Sequence, residues 1–235
     1  MDYTGFEKEE HFDRFSFYNG DCMDLLKQTP DKYYDLCIVD PPYFKGVANG
    51  SFYGGKISKS GVKRLSSKSE VWDENIPEQL YYNELVRISK NQIIWGINYF
   101  NFIGVPHGRI IWDKINDSST FSNCEIASNS MTKGVFIYRE LWNGMIKSEK
   151  ETRIHPTQKP VGLYSWLIQK YAKKGDKILD THLGSASIAL AIDKANKADG
   201  MELDFVGIEL DKEYFDSAMK RFSEGRQQMF LNLNV

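Results

Sequence analysis

Short apolar runs alternate along this chain with helical patterns, and that alternation limits the fold more than any other feature. The runs are Phe15 to Tyr18, Tyr34 to Val39, Gln92 to Trp95, Arg109 to Trp112, Gly134 to Tyr138, Lys177 to Leu179 and Phe205 to Glu209. Several are unbroken and stop at a polar residue, as strands buried on both faces do. Between them, Tyr81, Leu85 and Ile88 share one helical face. Leu163, Trp166, Leu167 and Tyr171 share another, with Pro160 suited to a first turn. The last helix is the clearest: Asp211 is placed to cap it, and Tyr214, Phe215, Ala218, Met219 and Phe222 form its stripe. The pattern predicts an α/β domain with a mainly parallel sheet, whose ligands bind at the carboxyl ends of the strands.

The 235 residues suit a single domain, 1–235. Thirty basic and 32 acidic residues give a net charge of −2, which argues against a uniformly basic protein. The charge is uneven. Residues 44 to 69 hold six basic residues (Lys45, Lys56, Lys59, Lys63, Arg64, Lys68), five glycines, six serines and no acid, leaving −8 for the rest. A loop of this length in a compact domain is usually functional or disordered. Cys22, Cys37 and Cys124 form no CxxC pair, and the four histidines show no metal-ligand spacing, so no disulfide framework and no metal are expected. The opening MDYTGFEKEE lacks the apolar core of a signal peptide, and no apolar run reaches the ~18 residues that span a bilayer. A cytoplasmic protein without a membrane partner is the expectation.

After the second apolar run stands Asp40-Pro41-Pro42-Tyr43. Two prolines fix φ and remove two N–H donors, and Pro41 restricts Asp40 to extended backbone. The Asp40 carboxylate and the Pro41 carbonyl thus form a rigid pair of acceptors beside an aromatic face. Such a group suits a planar ring bearing an NH2, since two acceptors hold its two hydrogens while the ring stacks. Acceptors on both N–H bonds also favour a pyramidal nitrogen and free its lone pair for attack on an electrophile. In the second half, Ile178-Leu179-Asp180 reads as a strand, and Thr181 to Ser187 as a turn of small residues opening a helix. About 25 residues on, Val206 to Glu209 ends another strand in a carboxylate. That carboxylate is placed to take two ribose hydroxyls.

The blocks GDCMDLL (20–26), VDPPY (39–43), IIWDKIN (110–116) with FSNCEIA (121–127), HPTQKP (155–160), ILDTHLGSAS (178–187) and FVGIELDKEYF (205–215) resemble, in this order, the DNA amino-methyltransferases of the beta arrangement that use S-adenosylmethionine. The likeness is greatest to short phage- or prophage-type adenine N6 methyltransferases. It implies a Rossmann-like methyltransferase fold: a seven-stranded, mostly parallel sheet with helices on both faces. The catalytic half would run about 14–140, and the cofactor half about 154–225. A short recognition segment would lie within about 114–153.

By position, the resemblance implies that Asp40, Pro41, Pro42 and Tyr43 hold the target amine. Asp180 and the turn through His182, Gly184 and Ser185 would cradle the methionine part of the cofactor, and Glu209 its ribose. Asp21 would receive the amino group of the cofactor's adenine, with a backbone contact from Cys22. His155, Thr157 and Lys159 would meet the methionine end, where Lys159 is placed to neutralise a carboxylate. His182 reads as a satisfied structural histidine rather than a catalytic one. Ala186 departs from the family's glycine, and its methyl is expected to crowd the cofactor.

Chemistry on a base requires the nucleotide to leave the duplex. The basic loop 44–69 is therefore expected to be mobile and to close over double-stranded DNA, with Lys45, Lys56, Lys59, Lys63 and Arg64 on phosphates. The family also implies a bacterial or phage source and leaves open a homodimer and a cognate restriction enzyme. Other readings stay open: cytosine N4 as the target, an RNA or protein amine, or a DNA-binding relative that has lost catalysis.

Overall fold

The structure, a computed structural model, describes residues 2–42, 78–116, 122–142, 154–155 and 157–233, the last six by backbone alone. The strands are β1 (Lys8–Phe12), β2 (Phe15–Asn19), β3 (Tyr34–Val39), β4 (Ser89–Trp95), β5 (Gly108–Asp113), β6 (Cys124–Asn129), β7 (Val135–Arg139), β8 (Lys177–Asp180) and β9 (Asp204–Glu209). The helices are α1 (Cys22–Gln28), α2 (Gln79–Ile88), α3 (Val161–Tyr171), α4 (Ser187–Asp199) and α5 (Lys212–Leu233). The described residues build one sheet in the order β1-β2-β9-β8-β3-β4-β6-β5-β7. Its centre, β2-β9-β8-β3-β4, is parallel throughout.

The unbroken apolar runs arise because both faces of this centre are covered. Along β3, Leu36 and Ile38 face one core while Cys37 and Val39 face the other; along β4, Ile93 and Trp95 oppose Ile94 in the same way. The first core is closed by α3, α4 and α5 through Leu163, Leu167, Ile192, Phe215 and Phe222. The second is closed by α1 and α2 through Leu25, Leu26, Tyr81, Leu85 and Ile88. Each such fully buried side chain contributes about 1.5–3 kcal/mol.

The sheet has nine strands where seven are expected. The two additions carry no apolar run. β1 reads KEEHF and, among the described residues, pairs only with β2, antiparallel, as an edge strand with alternate residues exposed. Charge on an edge discourages pairing with another chain, so the sequence that protects the edge also hides the strand. β6 lies antiparallel between β4 and β5, and its buried Ser128 and Asn129 are polar. Two helix details also differ. Pro160 stands just before the first turn of α3, at φ −69° and ψ 147°. In the α3 stripe, Leu163 and Leu167 are buried together with Tyr164 and Ile168, while Trp166 and Tyr171 are half-buried. Asp211 does cap α5, its Oδ1 accepting from the N–H of Glu213 at 2.8 Å and of Tyr214 at 3.1 Å.

From β3 the chain continues to β4 on one side, and from β8 to β9 on the other. The order therefore reverses between β3 and β8, and the crevice beyond their carboxyl ends is where this topology binds ligands. Asp40 and Asp180 stand on its two flanks.

Candidate active site

Four acidic residues follow or end four of the parallel strands: Asp21 after β2, Glu209 on β9, Asp180 on β8 and Asp40 after β3. Their surroundings differ. Asp40 is tied by its Oδ2 to the ammonium of Lys159, whose side chain is only 2% exposed. Lys159 lies 3.0 Å from Glu125 Oε2, and Lys114 lies 2.6 Å from Glu125 Oε1. The result is a chain of alternating charge, Asp40–Lys159–Glu125–Lys114, running from β3 to β6 and the end of β5. Two tryptophans back it, with the Lys159 ammonium 5.5 Å from the Trp95 ring and Lys114 4.9 Å from that of Trp112. Asp40 Oδ1 is buried with no partner among the described residues.

The charges respond to these neighbours. Burial pushes the Asp40 carboxyl up, and the Lys159 ammonium opposes it. Burial acts on Glu125 too, but Lys159 and Lys114 outweigh it and hold its pKa at about 2. On the other flank, burial pushes Asp180 up to about 8, helped by Asp40 and Glu209 and opposed by the His182 N–H. Glu209 rises to about 7 by burial, against the pull of the Asp211 and Gly184 N–H groups.

Glu209 organises the loops around it. Its Oε2 accepts from Gly184 N–H at 2.8 Å and its Oε1 from Asp211 N–H at 3.0 Å. Its carbonyl accepts from Gly20 N–H at 3.0 Å and from Asn19 Nδ2 at 2.8 Å. One residue thus joins the turns after β2, β8 and β9. The turn after β8 is further pinned by Asp180 Oδ1, which accepts from His182 N–H at 3.0 Å, and by Arg221 of α5, which donates to the Ser185 carbonyl at 2.6 Å and to Ser187 Oγ at 2.9 Å.

Gly184 and Ala186 in this turn are both left-handed, at φ +52° and +58°. The second position is one that glycine occupies without strain, which gives a physical reason for a glycine there. The Ala186 methyl is fully buried in the core under α3 to α5. Its burden therefore falls on the backbone, a different account from the crowding expected from sequence.

His182 is bonded through Nδ1 to Thr181 Oγ1 at 2.9 Å, and Thr181 Oγ1 to the Tyr81 hydroxyl at 2.6 Å. Burial lowers its pKa to about 3, so the ring is neutral. The His155 ring packs 4.3 Å from that of Tyr214 and would lie 3.8 Å from a Cβ on Gly184. Its Nδ1 accepts from Thr157 N–H at 3.3 Å. His155 and exposed Thr157 therefore stand by the turn after β8, whereas Lys159 of the same block sits beside Asp40. Asp21 caps α1, its Oδ1 accepting from Met23 N–H at 2.8 Å. Burial raises the Cys22 thiol to about 12, with Asp21 adding to it.

Tyr43, Lys45, Lys56, Lys59, Lys63 and Arg64 lie outside the described residues, as do residues 117–121 and 143–153 of the expected recognition segment. Glu125, Lys114, Arg221 and Tyr81 receive no role from sequence. The first two belong to a recognised block, which was the available signal; their pairing across β5, β6 and the α3 approach is visible only once the strands are ordered.

The chain and its fold have relatives. A family model described as DNA methylase matches residues 34–220. The type II methyltransferase M2.MboI of Moraxella bovis is 26% identical over 89% of this chain and 88% of its own. Among solved structures, the PvuII DNA methyltransferase, titled cytosine-N4-specific, superposes with a TM-score of 0.58 at 14% identity, over 93% of this chain and 90% of that one. An M1.HpyAVI complex with S-adenosylmethionine gives 0.53 at 23%, over 88% and 98%. The match spans both flanks of the crevice, from β3 and its Asp40 through β9 and its Glu209 into α5, and the chain belongs to the N6/N4 DNA methylase family.

Proposed function

We propose that the protein transfers a methyl group from S-adenosylmethionine to the N6 amine of a flipped-out adenine in double-stranded DNA. The observation that carries this reading is Asp40 Oδ1, a buried acceptor without a partner among the described residues, beside two prolines that offer carbonyls and no N–H. A buried unmet acceptor is costly, which is expected where a ligand completes the bond.

The crevice also suits the cofactor. Each carboxylate oxygen of Glu209 accepts one backbone N–H, leaving capacity for a vicinal diol. Ala186, at the N-cap of α4, makes no side-chain cap bond, so the first N–H groups of that helix would be available to the methionine carboxylate. Asp180, the turn to Ser185 and His155 with Thr157 would hold that end, and Asp21 with Cys22 the adenine. Bound there, S-adenosylmethionine supplies a methyl group activated by its positive sulfur. The chain's own part is to present the amine. Asp40 Oδ1 and the Pro41 carbonyl accept its two N–H bonds, and Tyr43 offers the stacking face. Lys159 keeps the other Asp40 oxygen occupied, so the carboxylate meets the amine through one oxygen only.

The choice of adenine over cytosine rests on the aspartate at position 40, which the family favours for adenine. Affinity for DNA would come from Lys45, Lys56, Lys59, Lys63 and Arg64. Neutralising four of them is expected to flatten the dependence of log affinity on log salt by about 3–4; an unchanged slope removes that assignment. The central test is incubation with methyl-labelled S-adenosylmethionine and unmethylated DNA, RNA or protein, with mass spectrometry of the digested products. N6-methyladenine in DNA is the expected product. N4-methylcytosine, or label confined to RNA or protein, overturns the reading, and binding without transfer marks a relative that has lost catalysis.

A further inference from the structure

We propose that Lys159 and Glu125 are positioning residues for Asp40, Lys159 fixing the carboxylate so that Oδ1 alone meets the target amine, and Glu125 sharing the Lys159 charge so that Asp40 is only partly neutralised. The inference deepens the reading above and rests on it. Two readings of Lys159 compete. If it served the cofactor's carboxylate, its ammonium would be expected to stand with the turn after β8. Instead it bridges Asp40 and Glu125, lies nearly fully buried, and faces the Trp95 ring at the end of β4. A lysine this deep requires close carboxylates, and here it has two.

The two carboxylates are not equivalent. Glu125 has a second cation, Lys114, at 2.6 Å, and so competes for Lys159 from a strong position. Among the described residues, Asp40 has Lys159 as its one ion-pair partner, shared with Glu125, and its Oδ1 has no partner. Among the described residues, the groups facing Asp40 are Lys159 ahead of α3, Glu125 on β6, Lys114 after β5, Asp180 on β8 and the Tyr164 hydroxyl on α3. Of these, the two lysines favour the ionised carboxylate and Glu125 and Asp180 oppose it. The ionised carboxylate is the stronger acceptor, because it carries full charge and no O–H of its own, whereas a protonated carboxyl adds a donor and accepts more weakly. Asp40 is therefore a strong acceptor above its titration and a weakened one as pH falls through it. Lys159 moves that boundary down and Glu125 moves it up.

The opposed signs provide the test. The Asp40 carboxyl is titrated by NMR in protein carrying 13C-labelled aspartate, its resonance assigned by loss in Asp40→Asn, for the native chain, Glu125→Gln and Lys159→Met. Glu125→Gln is close in shape and lowers the half-titration by about one pH unit; Lys159→Met raises it by a similar amount. The acid limb of the methyl-transfer rate moves with it in each direction, and Lys159→Met slows transfer at pH 7 by about tenfold or more while binding of S-adenosylmethionine stays within about twofold. A common direction of shift, or no shift, overturns the proposal. So does loss of cofactor binding in a folded Lys159→Met that matches its loss of rate, which would return Lys159 to the methionine carboxylate. If Lys159→Met does not fold, Glu125→Gln alone still decides by its direction. Failure of the native chain to transfer methyl would sink the proposed function separately, since the titration needs neither cofactor nor DNA.

Discussion

The two flanks of the crevice handle buried acid in opposite ways. On the β3 side, Asp40 and Glu125 are interleaved with Lys159 and Lys114. On the β8–β9 side, Asp180 and Glu209 have backbone N–H groups as hydrogen-bond partners and are pushed up to about 8 and about 7. Among the described residues, the acids of the first flank are ion-paired, whereas Asp180 and Glu209 are in no ion pair and Asp180 has only the field of Lys159 against it. On the proposed function, the compensated flank would present a fixed carboxylate to a neutral amine. The uncompensated flank is poised for a ligand that brings positive charge, and a sulfonium with an ammonium and one carboxylate carries a net positive charge.

The largest expected effect separates the flanks by what they lose. Asp40→Ala should cut methyl transfer by about a thousandfold or more while cofactor affinity stays within about twofold. Glu209→Gln should do the reverse, weakening cofactor binding by about 10–100-fold, since it alters a charged acceptor that also anchors the turn at Gly184. Binding by calorimetry and single-turnover transfer on the same preparations check both. If Asp40→Ala lost the cofactor as severely as Glu209→Gln, the division between flanks would be false.

A second effect follows from charge. Asp180 and Glu209 must be ionised to complement a cation, so binding releases protons, and affinity for S-adenosylmethionine should rise about tenfold between pH 6 and 7.5. S-adenosylhomocysteine shares the amino-acid end and lacks the positive sulfur, so its affinity should rise less. Calorimetry in two buffers of different ionisation enthalpy counts the protons released. Equal slopes for both ligands would show that the β8–β9 flank does not answer to the sulfur charge.

How much of this contrast was legible in the chain depends on where each group lies. Asp40, Asp180 and Glu209 were readable because each closes or follows an apolar strand, and strand ends are where parallel sheets keep ligand sites. The glycine at 184 and the cap at Asp211 were readable for the same local reason. Lys159 was visible as a residue but not by its partner, because a lysine in a loop is ordinarily solvated and nothing local places it against residue 40. Glu125 and Lys114 lie on β6 and just past β5, and only the insertion of an unforeseen antiparallel strand brings them to the crevice. Local signals thus reveal groups that act where their own strand ends. They do not reveal groups that act across the sheet.

The uncompensated flank also costs stability, and this gives a third effect. The Asp180 carboxyl titrates near 3.9 in an unfolded chain and at about 8 in the folded one. Below the lower value both states are protonated and nothing is lost. As pH rises through this window the unfolded state ionises first, so the folded state loses stability up to about pH 8. Asp180→Asn, neutral throughout, should raise the melting temperature of the cofactor-free protein by about 2–4 °C at pH 8 and by less at pH 5, while weakening cofactor binding. A gain independent of pH, or none, would mean that Asp180 sits in the fold already compensated.

The smallest effect concerns the turn that joins this flank to α4. Ala186 holds a left-handed backbone, which for a residue with a Cβ costs about 1 kcal/mol. Glycine would remove that strain but would also delete a fully buried methyl, about 0.8 kcal/mol, and add freedom to the unfolded chain. The terms nearly cancel. Ala186→Gly should therefore shift the melting temperature by less than about 3 °C and leave cofactor affinity within about twofold, because the methyl packs into the core beneath α4. A gain in affinity of tenfold or more would show instead that the methyl limits the cofactor, and would move the weakness of this flank from its charge to its shape.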